Sequence, residues 1–77
     1  MNPAGDSEAW YVALGRNLVA ARQAAGLRQY RVAHRAALWP ASLCRYESGE
    51  LKLRVGPFLR LAAALGVAPS ALIPPLP

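Results

Sequence analysis

The sequence predicts an all-α domain of five short helices. Three observations carry that prediction. Apolar residues recur at spacings of three and four, the period of one helix face. Alternating Val/Ile/Thr runs and Asn-Gly hairpin turns are absent. Gly and Pro fall where helices start and stop, punctuating the periodic segments without breaking them.

Each element follows from local chemistry. Asp6 or Ser7 is expected to cap the first helix, with Glu8 in the first turn, where the helix dipole favours a negative charge. Trp10, Leu14, Leu18, Ala21 and Ala25 form one apolar stripe, and Gly26 can take the left-handed conformation that ends the helix. A second helix is expected over about residues 28–36, with Val32, Ala33 and Ala36 inward. Trp39-Pro40 marks the next start. The residue before Pro is extended and Pro suits the first helical position, so Trp39 is the expected N-cap of a third helix running to about Ser48, with Gly49 ending it. A basic loop covers 50–55. The fourth helix is expected over 57–65, stopped by Gly66, and a short fifth over 69–73, which Pro74-Pro75 cannot continue. The organisation is then a flexible N-terminus (1–6), one domain (7–73) and a Pro-rich tail (74–77).

Size and composition exclude several classes. At 77 residues and 55% hydrophobic content the chain is one small globular domain, too short for a large enzyme with a deep pocket. The one cysteine, Cys44, cannot form an internal disulfide, so a reducing, cytoplasmic setting is expected, whether bacterial nucleoid-associated or phage-encoded. The acidic N-terminus lacks the character of a secretory signal. Residues 61–77 are uncharged but slightly short for a membrane span and interrupted by four prolines. With a single His, a single Cys and no Gly-rich phosphate loop, nothing pairs a nucleophile with a base, so an enzyme is not expected. His34 has no ligand-spaced partners, and neither a metal, a cofactor nor a small-molecule ligand is expected.

Charge is segregated along the chain. Nine Lys+Arg oppose four Asp+Glu, a formal +5. The acids are Asp6, Glu8, Glu47 and Glu50, so the segment from Ala9 to Tyr46 holds six arginines and no carboxylate. Eight of the nine basic residues are Arg, whose planar fork suits phosphates and guanine edges. A GC-rich genome also raises Arg, Ala and Pro content, yet does not explain the missing acids. A polyanion, either nucleic acid or an acidic membrane surface, is the partner this balance implies.

The second and third helices, joined by a three- or four-residue turn, have helix-turn-helix geometry. Arg22, Gly26-Leu27, Gln29, Val32-Ala33, Leu43, Arg45, Glu47, Gly49, Leu61-Ala62 and Leu65-Gly66-Val67 fall at fixed spacings without gaps. This set resembles the Cro/C1-type (XRE-like, lambda repressor-like) helix-turn-helix family over roughly residues 12–73. The resemblance implies a five-helix lambda repressor-like DNA-binding domain. It places Pro40, Ala41 and Arg45 toward the bases, with Trp39 an adjacent candidate for base contact. It places Arg28, Gln29, Arg35, Ser48, Lys52 and Arg54 toward phosphates, with Gln29 using its side-chain amide and backbone N–H. Arg22 and Glu47 fall where family members tie the first helix to the recognition helix by an ion pair. Independently, positions 41 and 45 are one helical turn apart and share a face, and Arg can pair bidentately with guanine.

Departures from the family pattern are equally specific. Arg28 replaces a Ser/Thr cap, Ala37 stands where Gly is common and is expected to strain that corner, and Pro40-Ala41 removes two polar base readers. Trp39 either packs on the second helix or lies against a backbone sugar. Cys44 is expected to be a small semi-buried hydrophobe, with a redox role as the alternative. Tyr46 and Phe58 are expected in the core. The resulting expectation is a small sequence-specific regulator of double-stranded DNA, a repressor acting as a homodimer on a palindromic operator. Its dimer surface is expected around Val67, Leu72, Ile73 and Leu76. The alternative is a protein-interaction module of the antitoxin, coactivator or anti-repressor type that keeps the fold and has weak DNA readout.

Overall fold

The computed structural model describes residues 3–75. Four α-helices follow one another, α1 (Pro3–Ala24), α2 (Gln29–Arg35), α3 (Pro40–Ser48) and α4 (Val55–Leu65), and a 3-10 turn at Pro69–Ala71 closes the series. No strand occurs among the described residues. The expected fifth helix is therefore a single tight turn. Its bonds run from Ala71 N–H to Ala68 O (2.9 Å) and from Leu72 N–H to Pro69 O (3.0 Å), because Pro69 and Pro74 leave too little chain between them for an α-helix to propagate.

Two helices start earlier than local signals suggest. Pro3, not Asp6 or Ser7, opens α1, a position that suits proline's fixed φ. α4 begins at Val55, so that Pro57 falls in its first turn, where no N–H is needed. α3 has the expected bounds: Trp39 is its extended N-cap (φ −69°, ψ 139°) and Gly49 its left-handed C-cap (φ 80°). α2, α3 and α4 all lack a side-chain N-cap hydrogen bond, so packing rather than capping holds their starts. Ala37 carries a positive φ of 55° between α2 and α3, the strained corner expected of an alanine in a glycine position.

The core is built from one face of each helix. Leu14 and Leu18 of α1 meet Val32, Ala33 and Ala36 at the end of α2, Leu43 of α3, and Leu61, Ala62 and Leu65 of α4, with Leu53 and Leu72 filling the ends. Trp10, Ala21, Tyr46 and Phe58 pack half-buried against this cluster. Ala25, expected on the same stripe, lies past the helix end and is exposed. Where α1 crosses α3 the backbones nearly touch: a Cβ added at Gly15 would sit 2.7 Å from the Tyr46 carbonyl oxygen and closer still to that of Glu47. Only glycine permits this approach.

The chain after the 3-10 turn is tied to α1 as far as Pro74. Asn17 Nδ2 donates to Leu72 O (2.8 Å) and Trp10 Nε1 donates to Pro74 O (3.2 Å), binding the segment to α1. Pro74 is buried and Leu72 is 1% exposed. Leu72 is thus a core residue rather than part of an exposed dimer patch, because the turn at Pro69 folds it back onto the helices. Val67 also packs on the core, Ile73 is exposed, and Leu76 lies outside the described residues. Among the described residues no helix is long and apolar enough to cross a membrane.

Candidate nucleic-acid interface

α3 presents a single outward face. Leu43 and Glu47 are buried, and Ser42 and Tyr46 are half-buried, while Pro40, Ala41, Cys44, Arg45 and Ser48 are exposed. Those five positions follow the i, i+4, i+8 and i+1, i+5 rows, so they form one strip. Cys44 therefore sits on the outward strip and not semi-buried, contrary to expectation. The periodicity that pairs Ala41 with Arg45 also pairs Pro40 with Cys44, and that was the available signal.

The strip is oriented by a polar cluster on the opposite side of α3. Arg22 Nε donates to Glu47 Oε2 (2.7 Å), Arg22 Nη2 to Glu47 Oε1 (3.2 Å), and Arg22 Nη1 to Leu27 O (3.1 Å). Gln29 Nε2 donates to Glu47 Oε1 at 2.7 Å. One carboxylate thus receives bonds from α1 and α2 and fixes the rotation of α3 about its axis. No buried side-chain polar atom among the described residues lacks a partner. Gln29, read as a phosphate contact, holds Glu47 with one amide hydrogen and keeps the other.

A second brace comes from α4. Arg60 Nε donates 2.8 Å to the carbonyl of Ala36, the C-cap of α2, immediately before the strained Ala37. Leu38 N–H bonds Ala33 O at 2.8 Å across the same corner. The spacing of Arg60 in sequence gives no hint of this role, since the contact spans 24 residues.

Arg28, Arg31, Arg35, Arg45, Lys52 and Arg54 are all exposed. Ser48, the other phosphate candidate, is committed locally: its hydroxyl donates to Arg45 O (3.0 Å) and accepts from Glu50 N–H (3.2 Å). Lys52 Nζ lies 5.9 Å from the Tyr11 ring centroid, and Glu8 and Glu50 line the same concavity, so its positive field is locally offset. Glu50 also approaches Arg45, Oε2 to Nε at 4.0 Å, with both side chains more than 60% exposed.

Trp39 is 80% exposed and so is not packed on α2. With Tyr30, Arg31 and His34 of α2, Leu38 of the turn, and Pro40, it lines an open groove of about 450 Å³ next to the start of α3. Tyr30 and Arg31 were not among the expected site residues. His34 is alone as a potential ligand, and no group of three His, Cys, Asp or Glu side chains occurs among the described residues.

A sequence profile described as a helix-turn-helix domain matches residues 13–76. The fold superposes on the crystal structure of the restriction-modification controller protein C.AhdI from Aeromonas hydrophila, with a TM-score of 0.80 and 30% identity over 82% of this chain and 96% of that one. No curated protein sequence matches the chain. The profile runs from the middle of α1 through α4, and so includes the Arg22–Glu47 pair between α1 and α3 and the outward strip of α3. The chain belongs to the helix-turn-helix domain family, of the Cro/C1 type that its motif residues resemble.

Proposed function

We propose that this protein is a small sequence-specific regulator that binds double-stranded DNA with α3 in the major groove, acting as a homodimeric repressor on a palindromic operator. The outward strip of α3 carries this reading. It is held in one orientation by the Arg22–Glu47–Gln29 cluster and flanked by exposed arginines, in a stretch with no carboxylate from Ala9 to Tyr46. Arg45 reads guanine through its fork, and Ala41 offers a methyl group to thymine. Arg28, Arg31, Arg35 and Arg54 set the register along the phosphates without reading sequence. Similarity to a restriction-modification controller protein supports the regulatory role.

A single domain reads one half-site, so a palindromic operator requires a second copy. Val55 (73% exposed) and Leu59 (49%) lie four residues apart on the outer face of α4, and Ile73 (49%) is exposed in the segment that follows the 3-10 turn. These residues, with Val67 at the margin, are the dimer surface in this reading. The setting is the cytoplasm.

Selection of bound sites from a pool of random duplexes, followed by sequencing, tests the proposal. Recovery of a palindrome with guanine facing Arg45 is the expected result. A pool that remains random after repeated rounds removes the claim of sequence specificity and favours the protein-interaction reading, for which the apolar Pro40 and Ala41 at the head of α3 are the motivation.

A further inference from the structure

The groove beside the start of α3 is a product of the fold rather than of any local motif. α2 ends at Arg35, Ala36 caps it, and Ala37 turns the chain through a positive φ of 55°. That turn returns Leu38, Trp39 and Pro40 alongside Tyr30, Arg31 and His34. Arg60 holds the corner from α4 through the Ala36 carbonyl. Tyr30 and His34 stand one helical turn apart on one face of α2. Leu38 is half-buried against the core, while Tyr30 and Trp39 keep 60% and 80% of their surface in water. The space is about 450 Å³, the size of pockets that hold small organic ligands. Its composition is also that of such a pocket: two aromatic rings, a leucine and a proline, with a guanidinium and an imidazole as the polar groups. No carboxylate lines it, and Arg28 and Arg35 extend the positive charge along the same stretch of chain.

We infer that this groove is a binding site for a small aromatic carboxylate, which on entering it displaces DNA from the head of α3. The displacement rests on the DNA-binding reading of α3; the binding of the ligand does not. Each part of the ligand answers a feature of the groove. A flat aromatic body covers the apolar surface that Tyr30 and Trp39 leave in water, and offset or edge-to-face ring contacts orient it. The carboxylate takes the Arg31 fork, whose paired N–H groups match its two oxygens, with a His34 ring N–H as a further donor. An uncharged ligand gains nothing from that guanidinium, and a cationic one is repelled by Arg28, Arg31 and Arg35. Competition with a duplex follows from shared residues. Arg31 and the Trp39-Pro40 step belong to the proposed DNA complex, so the same side chains cannot serve both. The sequence points to no small ligand, because residues 30–34 and 38–40 form a groove only once the turn at Ala37 is made.

The probe is naphthoate, titrated into the full isotope-labelled chain and followed by amide chemical shifts, with naphthalenemethanol as its uncharged counterpart. Expected are saturable shifts confined to the amides of Tyr30, Arg31, His34, Leu38 and Trp39. The Kd should be about 1 mM, in keeping with the efficiency of a two-ring acid in an open site. The alcohol binds about tenfold more weakly, having lost one charge-assisted pair. Arg31→Ala brings acid and alcohol to equal affinity, whereas Arg31→Lys keeps a preference for the acid. Trp39→Ala weakens both by about fivefold. Arg31 and Trp39 are exposed, so circular dichroism of the variants should match the parent. In gel shifts at constant ionic strength, naphthoate at about ten times its Kd weakens duplex binding by about tenfold, and less so in Trp39→Ala. Shifts that scatter over the surface without saturating, or equal binding of acid and alcohol by the parent, overturn the site. Saturable binding that leaves duplex affinity unchanged overturns the displacement. If the parent binds no duplex, the DNA-binding reading fails and the displacement with it, while the shift titration still decides the site.

Discussion

Arg22 and Glu47 are joined by two hydrogen bonds, Nε to Oε2 at 2.7 Å and Nη2 to Oε1 at 3.2 Å, with the carboxylate almost fully buried. This pair crosses from α1 to α3, and Gln29 of α2 shares the same carboxylate. A side chain at the back of the recognition helix therefore determines which residues face outward at its front.

Removing that carboxylate leaves a part-buried guanidinium with only the Leu27 carbonyl as partner. Glu47→Ala is expected to destabilise the domain by about 3 kcal/mol, measured by urea unfolding. Replacing both partners by apolar residues, Arg22→Met with Glu47→Leu, should recover most of that loss, because no charge is then stranded. Equal losses in the single and double variants would contradict this account of the pair.

The α1–α3 crossing makes a sharper prediction. Gly15→Ala ought to strengthen α1 as an isolated helix by about 1 kcal/mol. In the fold its Cβ would meet the carbonyl oxygens of Tyr46 and Glu47, which are backbone and cannot swing away. A net destabilisation of about 2 kcal/mol or more is expected in thermal melts, since overpacking outweighs propensity.

At Ala37 the sign reverses. Its φ of 55° imposes a left-handed strain that glycine does not feel. Ala37→Gly should stabilise the protein by about 1 kcal/mol, net of the added freedom of the unfolded chain, and raise Tm by about 5 °C. An unchanged or lowered Tm would show that Arg60, bonded to Ala36 O, has already absorbed the strain.

For Arg45 the effect belongs to binding alone. Arg45→Ala should weaken the selected duplex by about 30-fold, the loss of one bidentate guanine contact, and leave unfolding unchanged because the side chain is 61% exposed. Glu50→Gln removes the carboxylate 4.0 Å from Arg45. It should tighten binding by about threefold at low salt, with the gain fading as salt rises. Gel-shift titrations at two ionic strengths measure both.

Self-association is tested on α4. Val55→Glu with Leu59→Glu places two charges on its exposed face without touching the core. Sedimentation is expected to report a dimer for the parent and a folded monomer for the variant; identical sedimentation of the two proteins would remove α4 from the interface.

The elements that rest on neighbouring residues were legible in the chain. Trp39-Pro40 and Gly49 bound α3 because proline and glycine act within one or two residues of themselves. The inward faces of α1 and α2 followed from helical period, and the strain at Ala37 from the absence of glycine. Resemblance to the Cro/C1-type pattern supplied the pairing of Arg22 with Glu47. What the tertiary structure alone decided depends on residues far apart in sequence. Asn17 and Trp10 reach 55 and 64 residues forward to hold Leu72 and Pro74, which turns an expected surface patch into core. Arg60 reaches back 24 residues to brace the turn before α3. Cys44 faces outward because Leu43 and Glu47, one turn apart, are both buried, Leu43 in the core and Glu47 on Arg22 and Gln29, and that rotation leaves Cys44 on the outer side of α3. Local signals bound α3 and end α1 and α4, while packing moves the starts of α1 and α4; a helix's rotation, and hence the face it offers to DNA, is set by contacts that exist only once the chain has folded.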